Sequence, residues 1–239
     1  MKSLKFKNLI IYESDDIVVV NKPALLSTLD DRVNKEVNLL LLAKKYHKDL
    51  QACHRLDKET SGALIFAKNP ESYRNISMQF QNRKVDKTYH AIIEGVHKFE
   101  NLEVDLPIQN LGKERVKIDQ KEGKKAQTIF NSIEFYKNYT LVECKPITGR
   151  LHQIRIHLSS LGAVIVGDEV YGGESFLLSK IKKKYKIKTG EEERPIMKRF
   201  SLHAHRVQFR NIKQEEIEVI AEYPKDFAVL KKLLDKHNS

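Results

Sequence analysis

Residues 53–62 read CHRLDKETSG, and residues 63–67, which follow directly, read ALIFA. A polar loop that enters an apolar strand is a common place for working side chains. If the loop is extended, Arg55 and Asp57 project to the same side of the chain, because side chains alternate along a strand. The last three residues of the loop, 60–62, are typical of a turn. Two interpretations are open at this point: a solvated Arg–Asp pair beside a turn, or a site built on Asp57.

The composition is that of a globular protein that binds a polyanion. Apolar residues make up 41% of the 239 residues, and the formal net charge is +11. This charge favours nucleic acid as the partner over an anionic membrane, and no apolar run reaches the length of a membrane-spanning helix. Residues 1–12 lack the apolar core of a signal peptide, and two cysteines are too few for a disulfide framework. We therefore expect a cytoplasmic protein with reduced thiols and no membrane contact.

The apolar pattern predicts about ten strands. Residues 17–20 are a β-branched run suited to a buried strand. Eight of them are expected at 9–12, 17–20, 63–68, 87–95, 127–135, 139–147, 200–209 and 216–223. Many strands beside few helices indicate an α+β fold with a mixed, mainly antiparallel sheet.

Four helices are predicted from apolar residues at helical spacing. Asn69-Pro70-Glu71 is a typical helix start, and Gly162 is a typical helix end. The helices and the residues expected on their buried faces are 36–46 (Val37, Leu40 and Leu41), 69–82 (Tyr73, Ile76 and Phe80), 151–162 (Leu151, Ile154, Leu158 and Leu161) and a closing helix after Pro224 (Phe227, Leu230, Leu233 and Leu234). In the third helix, His152, Arg155 and Ser159 are expected on another face.

Two basic segments interrupt this pattern. Residues 98–125 carry a cluster of lysines and arginines around two glycines, which predicts a hairpin or an excursion outside the core. Residues 179–199 contain nine lysines and arginines against three glutamates. Such a run is usually a solvated segment, and the alternative is a loop that contacts phosphates.

Several common catalytic motifs are absent from the sequence. The ten glycines form no P-loop, dinucleotide fingerprint or nucleophile elbow. The histidines form no convincing metal set, because His152 and His157 diverge on a helix and the His203/His205 pair lacks an acidic or thiol ligand nearby. We therefore expect a reaction that needs no cofactor and no metal.

Five blocks, in this order along the chain, resemble the RluA-type pseudouridine synthases, which isomerise uridine in ribosomal and transfer RNA. The blocks are VVNKPA (19–24), HRLDKETSG (54–62), DKTYHAIIEG (86–95), TGRLHQIRIHLSSLG with GDEVYG (148–172) and SLHAHRVQF (201–209). Two positions depart from the family pattern, since Leu25 stands where glycine is usual and Val164 where proline is often found.

The resemblance implies an α+β pseudouridine synthase fold with a long mixed sheet, flanking helices and a central catalytic cleft. We expect a single catalytic domain over residues 1–239 and a monomer. The S4-type RNA-binding domain of many relatives is not expected, because only about a dozen residues precede the first strands. Target selection would then depend on the catalytic domain and its basic excursions.

The resemblance also assigns three catalytic roles. Asp57 matches the essential aspartate, which either attacks C1′ of the ribose or removes a C2′ proton. Tyr89 matches the tyrosine that stacks on the target base and is a candidate to take the proton from C5. Arg155 matches the arginine that pairs with the aspartate and offsets its desolvation.

Five further residues are candidates for substrate binding. Arg55 matches the arginine thought to fill the space left by the flipped base, and Leu202 matches the apolar residue that closes the pocket floor. Arg150 is a candidate phosphate or structural contact. His54 and Thr60, in the same motif as Asp57, complete the set.

The sequence therefore predicts an RNA pseudouridine synthase, with 23S ribosomal RNA as the first expected substrate. Transfer RNA is the alternative substrate. A non-catalytic RNA-binding or ribosome assembly factor would explain the charge alone. A nucleoside or glycoside hydrolase that uses Asp57 is a third class, although no second placed carboxylate is evident.

Overall fold

The computed structural model describes residues 4–29, 37–112, 114–182, 185 and 192–237. These residues form twelve strands and four α-helices. In chain order the elements are β1 (Ile10–Glu13), β2 (Ile17–Lys22), α1 (Leu39–Tyr46), β3 (Gln51–Ala52), β4 (Ser61–Ala67), α2 (Pro70–Gln81), β5 (Asp86–Glu94), β6 (Leu102–Asp105), β7 (Ile108–Gly112), β8 (Arg115–Ile118), β9 (Gln127–Phe135), β10 (Tyr139–Pro146), α3 (Gln153–Ser160), β11 (Leu202–Arg210), β12 (Glu216–Ile220) and α4 (Lys225–Lys236). The strands predicted from the sequence are confirmed to within three residues at each end.

The chain divides into two compact units. The first consists of Met1–Tyr89 and His203–Glu222, and the second of His90–Leu202 and Tyr223–Ser239. The expectation of a single catalytic domain over the whole chain stays a prediction.

In the first unit the strands form a sheet with a core on each face. Strand β2 pairs antiparallel with β1 and with β4, β11 runs parallel to β4, and β12 pairs antiparallel with β11. Val18 and Val20 of β2 pack into one core cluster, whereas Ile17 and Val19 pack into the other. Helix α1 covers the first face and α2 the second, which explains why β4 is buried along its whole length.

Gly62 allows β11 to lie against the start of β4. Its φ is +118°, and it is the register partner of Ala204. A Cβ atom at this position would lie 2.2 Å from the carbonyl oxygen of Ala204. A side chain is therefore excluded both by this overlap and by the positive φ.

The start of helix α2 is as predicted, but the predicted buried faces of α1 and α2 need correction. The side-chain oxygen of Asn69 accepts a hydrogen bond of 2.8 Å from the Ser72 N–H, and Ile76 is fully buried. Tyr73, predicted to pack on the core, is 37% exposed.

In α1 the buried residues are Leu39 and Ala43, whereas Val37 and Leu41 are 62% and 43% exposed. The run of four leucines at 39–42 made the sequence ambiguous, because an apolar residue lies on every face.

The second unit contains a sheet in the order β5-β10-β9-β6 and a separate hairpin of β7 and β8. Strands β10 and β6 both pair antiparallel with β9. Helix α4 buries Phe227, Leu230 and Leu234 against residues of the sheet, as its apolar spacing predicts.

One expectation for the second unit was wrong in part. Residues 98–125 are not wholly outside the core, because β6 belongs to the sheet and Val104 and Ile108 are buried. The common face of His152, Arg155 and Ser159 is confirmed, since all three contact Tyr171, and Arg155 on this face is buried. Of the second basic segment, residues 183, 184 and 186–191 lie outside the described residues.

The fold class is confirmed as α+β. The parallel pair β4 and β11 makes the sheet of the first unit mixed, and the other pairs with an assigned register are antiparallel. The central cleft implied by the resemblance stays a prediction. No helix within the described ranges has both the length and the apolar character to cross a membrane.

We predict that Gly62→Ala lowers the free energy of unfolding by about 2–5 kcal/mol, because it adds both steric overlap and an unfavourable φ. Urea denaturation measures this change. Two further variants serve as controls. Gly112→Ala isolates the effect of a positive φ, because Gly112 has a φ of +78° and open space around it. Gly149→Ala is the control without either effect, because Gly149 has open space and no positive φ. A Gly62→Ala variant that loses no more stability than Gly149→Ala would contradict the close approach.

Candidate active site

The Asp57 loop lies in the first unit and has the alternation that the sequence predicts. Leu56 is buried, whereas Arg55 before it is exposed and Asp57 after it is half-buried. The loop ends in a turn closed by a hydrogen bond of 3.1 Å from the Thr60 N–H to the Asp57 carbonyl. The turn lies earlier than the expected residues 60–62, at residues 57–60, because Ser61 and Gly62 already belong to strand β4.

Thr28 holds the middle of the loop through the backbone of Leu56. Its hydroxyl donates to the Leu56 carbonyl at 3.0 Å and accepts from the Leu56 N–H at 3.2 Å. Both residues are buried, so the two hydrogen bonds satisfy backbone groups that water does not reach. Leu56 is thereby fixed beside Arg55 and Asp57.

Lys22 holds the residue after Asp57. Its side chain is fully buried at the end of β2, and its Nζ donates to the carbonyls of Pro23 (3.0 Å), Leu26 (2.8 Å) and Lys58 (3.2 Å). An ammonium has three donors and no acceptor, so three carbonyls match its hydrogen-bonding capacity. The sequence analysis assigned no role to Lys22. The sequence feature that could have indicated this role is a lysine at the end of a run of buried strand residues.

Ser61, at the end of the loop's family block, contacts β11 through its side chain. Its hydroxyl lies 2.9 Å from Nδ1 of His203, whose Nε2 donates to the carbonyl of Ala221 at 2.9 Å. His205 donates from Nδ1 to the same carbonyl at 3.1 Å, so the two histidines share a face of β11. Both rings are thus bonded to backbone of the first unit.

Tyr89 is half-buried on β5 and packs against the core cluster that contains Leu56. Burial raises the pKa of its phenol, and the negative charge of Asp57 raises that pKa further. The phenol is therefore neutral near pH 7. The charge of Asp57 therefore acts on Tyr89, and the catalytic role of Tyr89 stays a prediction.

His54 contacts the protein's own backbone. Its Nε2 accepts a hydrogen bond of 3.0 Å from the Ile65 N–H, and its ring lies 4.6 Å from the ring of Phe80. Burial and the positive charge of Lys87 lower the pKa of His54 to about 3. The imidazole is consequently neutral.

In the second unit, Arg155 of α3 forms a buried ion pair with Asp168. Its Nε and Nη2 each lie 2.6 Å from one carboxylate oxygen of Asp168, and the two side chains are 5% and 1% exposed. The guanidinium also lies over the rings of Phe200 (4.3 Å) and Tyr171 (4.9 Å). Asp168 was missed by the sequence analysis, although it belongs to the GDEVYG segment.

Gln153 organises the turn before α3. Its Oε1 accepts from the Thr148 hydroxyl at 2.7 Å and from the Arg150 N–H at 3.0 Å. Its Nε2 donates to the Gln127 carbonyl at 2.9 Å and to the Thr128 hydroxyl at 2.9 Å. The Arg150 side chain is exposed and donates from Nε to the Lys125 carbonyl, which gives it a structural contact.

Leu202 is buried where β11 begins, and Arg199 holds the segment that precedes it. Nη1 of Arg199 donates to the carbonyls of Phe200 and Leu202 at 3.1 and 3.2 Å, and its Nε pairs with Asp226 at 2.8 Å. Burial of Leu202 agrees with an apolar role, but its part in a substrate pocket stays a prediction.

The predicted residues are therefore distributed over both units. The first unit brings together Asp57, Arg55, His54, Thr60 and Tyr89, and the second contains Arg150, Arg155 and Leu202. The pairing of Asp57 with Arg155 joins residues of different units and stays a prediction. Within the described part of the chain, no group of three or more His, Cys, Asp or Glu side chains could hold a metal ion.

We predict that Asp168→Asn lowers the free energy of unfolding by about 3–5 kcal/mol, because it removes the carboxylate that offsets the buried charge of Arg155. Chemical denaturation measures the loss. Glu100→Gln is the matched control, since it breaks the Lys98–Glu100 pair, in which both side chains are at least 75% exposed, and should cost less than about 1 kcal/mol. Equal effects of the two substitutions would contradict the importance of the buried pair.

Comparisons with known proteins identify the family of the chain. The family model described as RNA pseudouridylate synthase matches residues 16–160. The chain is 34% identical to ribosomal large subunit pseudouridine synthase C of Buchnera aphidicola over 97% of this chain and 72% of that protein. It is 36% identical to the dual-specificity RNA pseudouridine synthase RluA of Vibrio cholerae over 68% of this chain and 67% of that protein.

A solved structure shows the same fold. The human RNA pseudouridylate synthase domain containing 4 matches with a TM-score of 0.70 at 26% identity, over 96% of this chain and 95% of that chain. Some relatives are considerably longer, and the chain spans 56% of the length of a relative from Aquifex aeolicus. Sequence and fold lead to the same assignment: the chain belongs to the RNA pseudouridylate synthase family, as its RluA-type motifs predict.

Proposed function

We propose that this protein is an RNA pseudouridine synthase that isomerises uridine in structured RNA, with Asp57 as the catalytic carboxylate. The observation that carries the proposal is the Asp57 loop, in which buried partners hold Leu56 and Lys58 while Asp57 lies between them. A solvated Arg–Asp pair would need no such support. Family membership supplies the reaction class.

The reaction breaks the C1′–N1 bond of uridine and forms a C1′–C5 bond. The Asp57 carboxylate either bonds to C1′ or takes a proton from C2′ as the uracil leaves. The uracil then turns, and C5 bonds to C1′ as the Asp57 carboxylate leaves C1′ or, in the other branch, as the proton returns to C2′. The C5 proton is then lost and N1 carries a proton. Substrate and product are isomers, so the reaction needs no external atom or electron pair.

Tyr89 would act as a neutral phenol. In that form it can stack on the target base and donate a hydrogen bond, and stacking repays part of the cost of flipping the base out of the RNA. To take the C5 proton it would have to give up its own, and the nearby charge of Asp57 disfavours the phenolate. Stacking and hydrogen bonding are therefore its main proposed roles.

Arg155 is the proposed counter-ion of Asp57. The support is its orientation, because Asp168 and the Phe200 ring hold the guanidinium in one position inside the second unit. A guanidinium that is already oriented loses little side-chain entropy when it binds another carboxylate.

Exposed basic residues on and after the β7–β8 hairpin would supply phosphate affinity. Arg115, Lys121 and Lys124 are exposed on this segment, and the whole chain carries a net charge of +11. Such contacts bind RNA without reading its sequence and weaken as salt rises. We propose 23S ribosomal RNA as the first substrate and transfer RNA as the alternative, in keeping with the relatives named for each kind of activity.

We predict that Asp57→Asn lowers kcat for pseudouridine formation by about 10³-fold or more, because an amide can neither attack C1′ nor accept the C2′ proton. Tyr89→Phe keeps the stacking ring and loses only the hydrogen bond of the hydroxyl, so kcat should fall less, by about 10-fold. The exposed Asp49 provides the matched control, Asp49→Asn. Activity retained in Asp57→Asn would overturn the catalytic assignment, and release of free uracil would indicate a hydrolase instead.

We also predict that deletion of the gene removes one or more pseudouridines from 23S ribosomal RNA, with transfer RNA unchanged. Nucleotide-resolution mapping in the deletion strain and its parent measures this, and complementation with Asp57→Asn is the control. Loss in transfer RNA alone would establish the alternative substrate. An unchanged pseudouridine pattern in all RNA, together with salt-sensitive RNA binding, would favour a non-catalytic RNA-binding factor.

A further inference from the structure

Strand β4 has a gap in its pairing at Ile65. Along one edge, β2 pairs with β4 from Gly62 to Ala67. Along the other edge, β3 reaches only residues 66 and 67, and β11 reaches only residues 61 and 62. Ile65 lies between the part of β4 paired with β3 and the part paired with β11, and it is fully buried. Its N–H therefore needs a hydrogen-bond acceptor that neither of these strands supplies.

The His54 side chain fills this gap. The Cys53 N–H donates to the Ile65 carbonyl at 2.9 Å, which continues the β3 pairing by one residue. One residue later, Nε2 of His54 accepts from the Ile65 N–H at 3.0 Å. The imidazole thus takes the place that a backbone carbonyl would have if β3 continued.

This hydrogen bond determines the state of the ring. A backbone N–H can only donate, so Nε2 of His54 carries no proton and the single ring proton lies on Nδ1. Three neighbours face the ring: Ile65 of β4, Phe80 of α2 at 4.6 Å between ring centres, and Lys87 of β5, whose charge disfavours imidazolium. The ring stays neutral because burial and Lys87 lower the pKa of His54 to about 3.

The contacts of the loop follow a two-residue period. His54 binds β4 through its ring, Leu56 binds Thr28 through its backbone, and Lys58 binds Lys22 through its carbonyl. Arg55 and Asp57 lie at the alternate positions and are at least partly exposed. The loop is therefore held at residues before, between and after Arg55 and Asp57, while these two side chains keep exposed surface.

We propose that His54 is a positioning residue for Asp57, whose neutral imidazole replaces a strand carbonyl and fixes the first contact of the catalytic loop. This inference rests on the proposed function and changes the expected role of His54, from substrate binding to support of the loop. A displacement of about 1 Å at a catalytic group can cost about 10²-fold in rate, so loss of one contact should be visible in kcat.

The test compares His54→Phe, which keeps an aromatic ring beside Phe80 but has no acceptor, with His54→Gln, whose Oε1 can accept from the Ile65 N–H. We expect His54→Phe to lower kcat about 10- to 100-fold with KM for RNA within about threefold. His54→Gln should keep kcat within about threefold, and so should His47→Phe, a control at an exposed histidine of the same unit. A raised KM with unchanged kcat in His54→Phe would make His54 a substrate contact and overturn the proposal.

Three measurements on the free protein do not depend on activity. We expect the His54 side-chain nitrogens of the wild type to show an unprotonated Nε2 and no titration between pH 8 and pH 5. Hydrogen exchange of the Ile65 amide should accelerate about tenfold or more in His54→Phe but not in His54→Gln. The carboxyl signal of Asp57 should shift only in His54→Phe. A His54 that titrates near its ordinary pKa, or an Ile65 amide with unchanged exchange in His54→Phe, would overturn the proposal.

These measurements also separate failure of the proposal from failure of the proposed function. If the wild type forms no pseudouridine but the Asp57 signal shifts as expected, the function is wrong and the positioning role stands. If the wild type is active and the Asp57 signal is the same in all variants, the positioning role is wrong and the function stands. Should His54→Phe fail to fold, the wild-type titration and the activity of His54→Gln still decide the result.

Discussion

The candidate site depends on the hydrogen bonds that the buried ammonium of Lys22 donates to backbone carbonyls. A charge without solvent contact is stable only if its donors are satisfied, and three backbone carbonyls satisfy them here. Two of these carbonyls come from the turn after β2, and the third comes from Lys58, beside Asp57. One side chain therefore ties the end of a core strand to the Asp57 loop, and neither can move without leaving polar groups unpaired.

The need to pair buried backbone groups also explains the other contacts of the loop. The Thr28 hydroxyl forms hydrogen bonds with the amide and the carbonyl of Leu56, and the His54 ring accepts a hydrogen bond from the amide of Ile65. Gly62 completes the arrangement by letting β11 approach the start of β4. Hydrogen bonds thus hold the loop at His54, Leu56 and Lys58, while Arg55 and Asp57 keep exposed surface.

Elements with a strong local signal were predictable, and those with an ambiguous pattern were not. Helix α2 was placed because Asn69 and Pro70 are specific start residues, whereas the buried face of α1 was misjudged because Leu39, Leu40 and Leu41 are equally apolar. Helix α3 shows the limit of periodicity. Its polar residues find partners inside the protein, as Arg155 does in Asp168, and a single sequence carries no sign of such partners.

The sequence by itself determined the α+β class, the family and the identity of Asp57, Tyr89 and Arg155 as candidates, because short motifs and strand patterns are local properties of the chain. Leu25 separates the two kinds of information. The sequence shows that leucine replaces the usual glycine, but only the structure shows that Leu25 has a φ of +62°. Only the tertiary structure decided that Lys22, Thr28 and His54 support the loop and that Asp168 holds Arg155. Those roles depend on which buried donors meet which acceptors, and residues far apart in sequence meet only after the chain has folded.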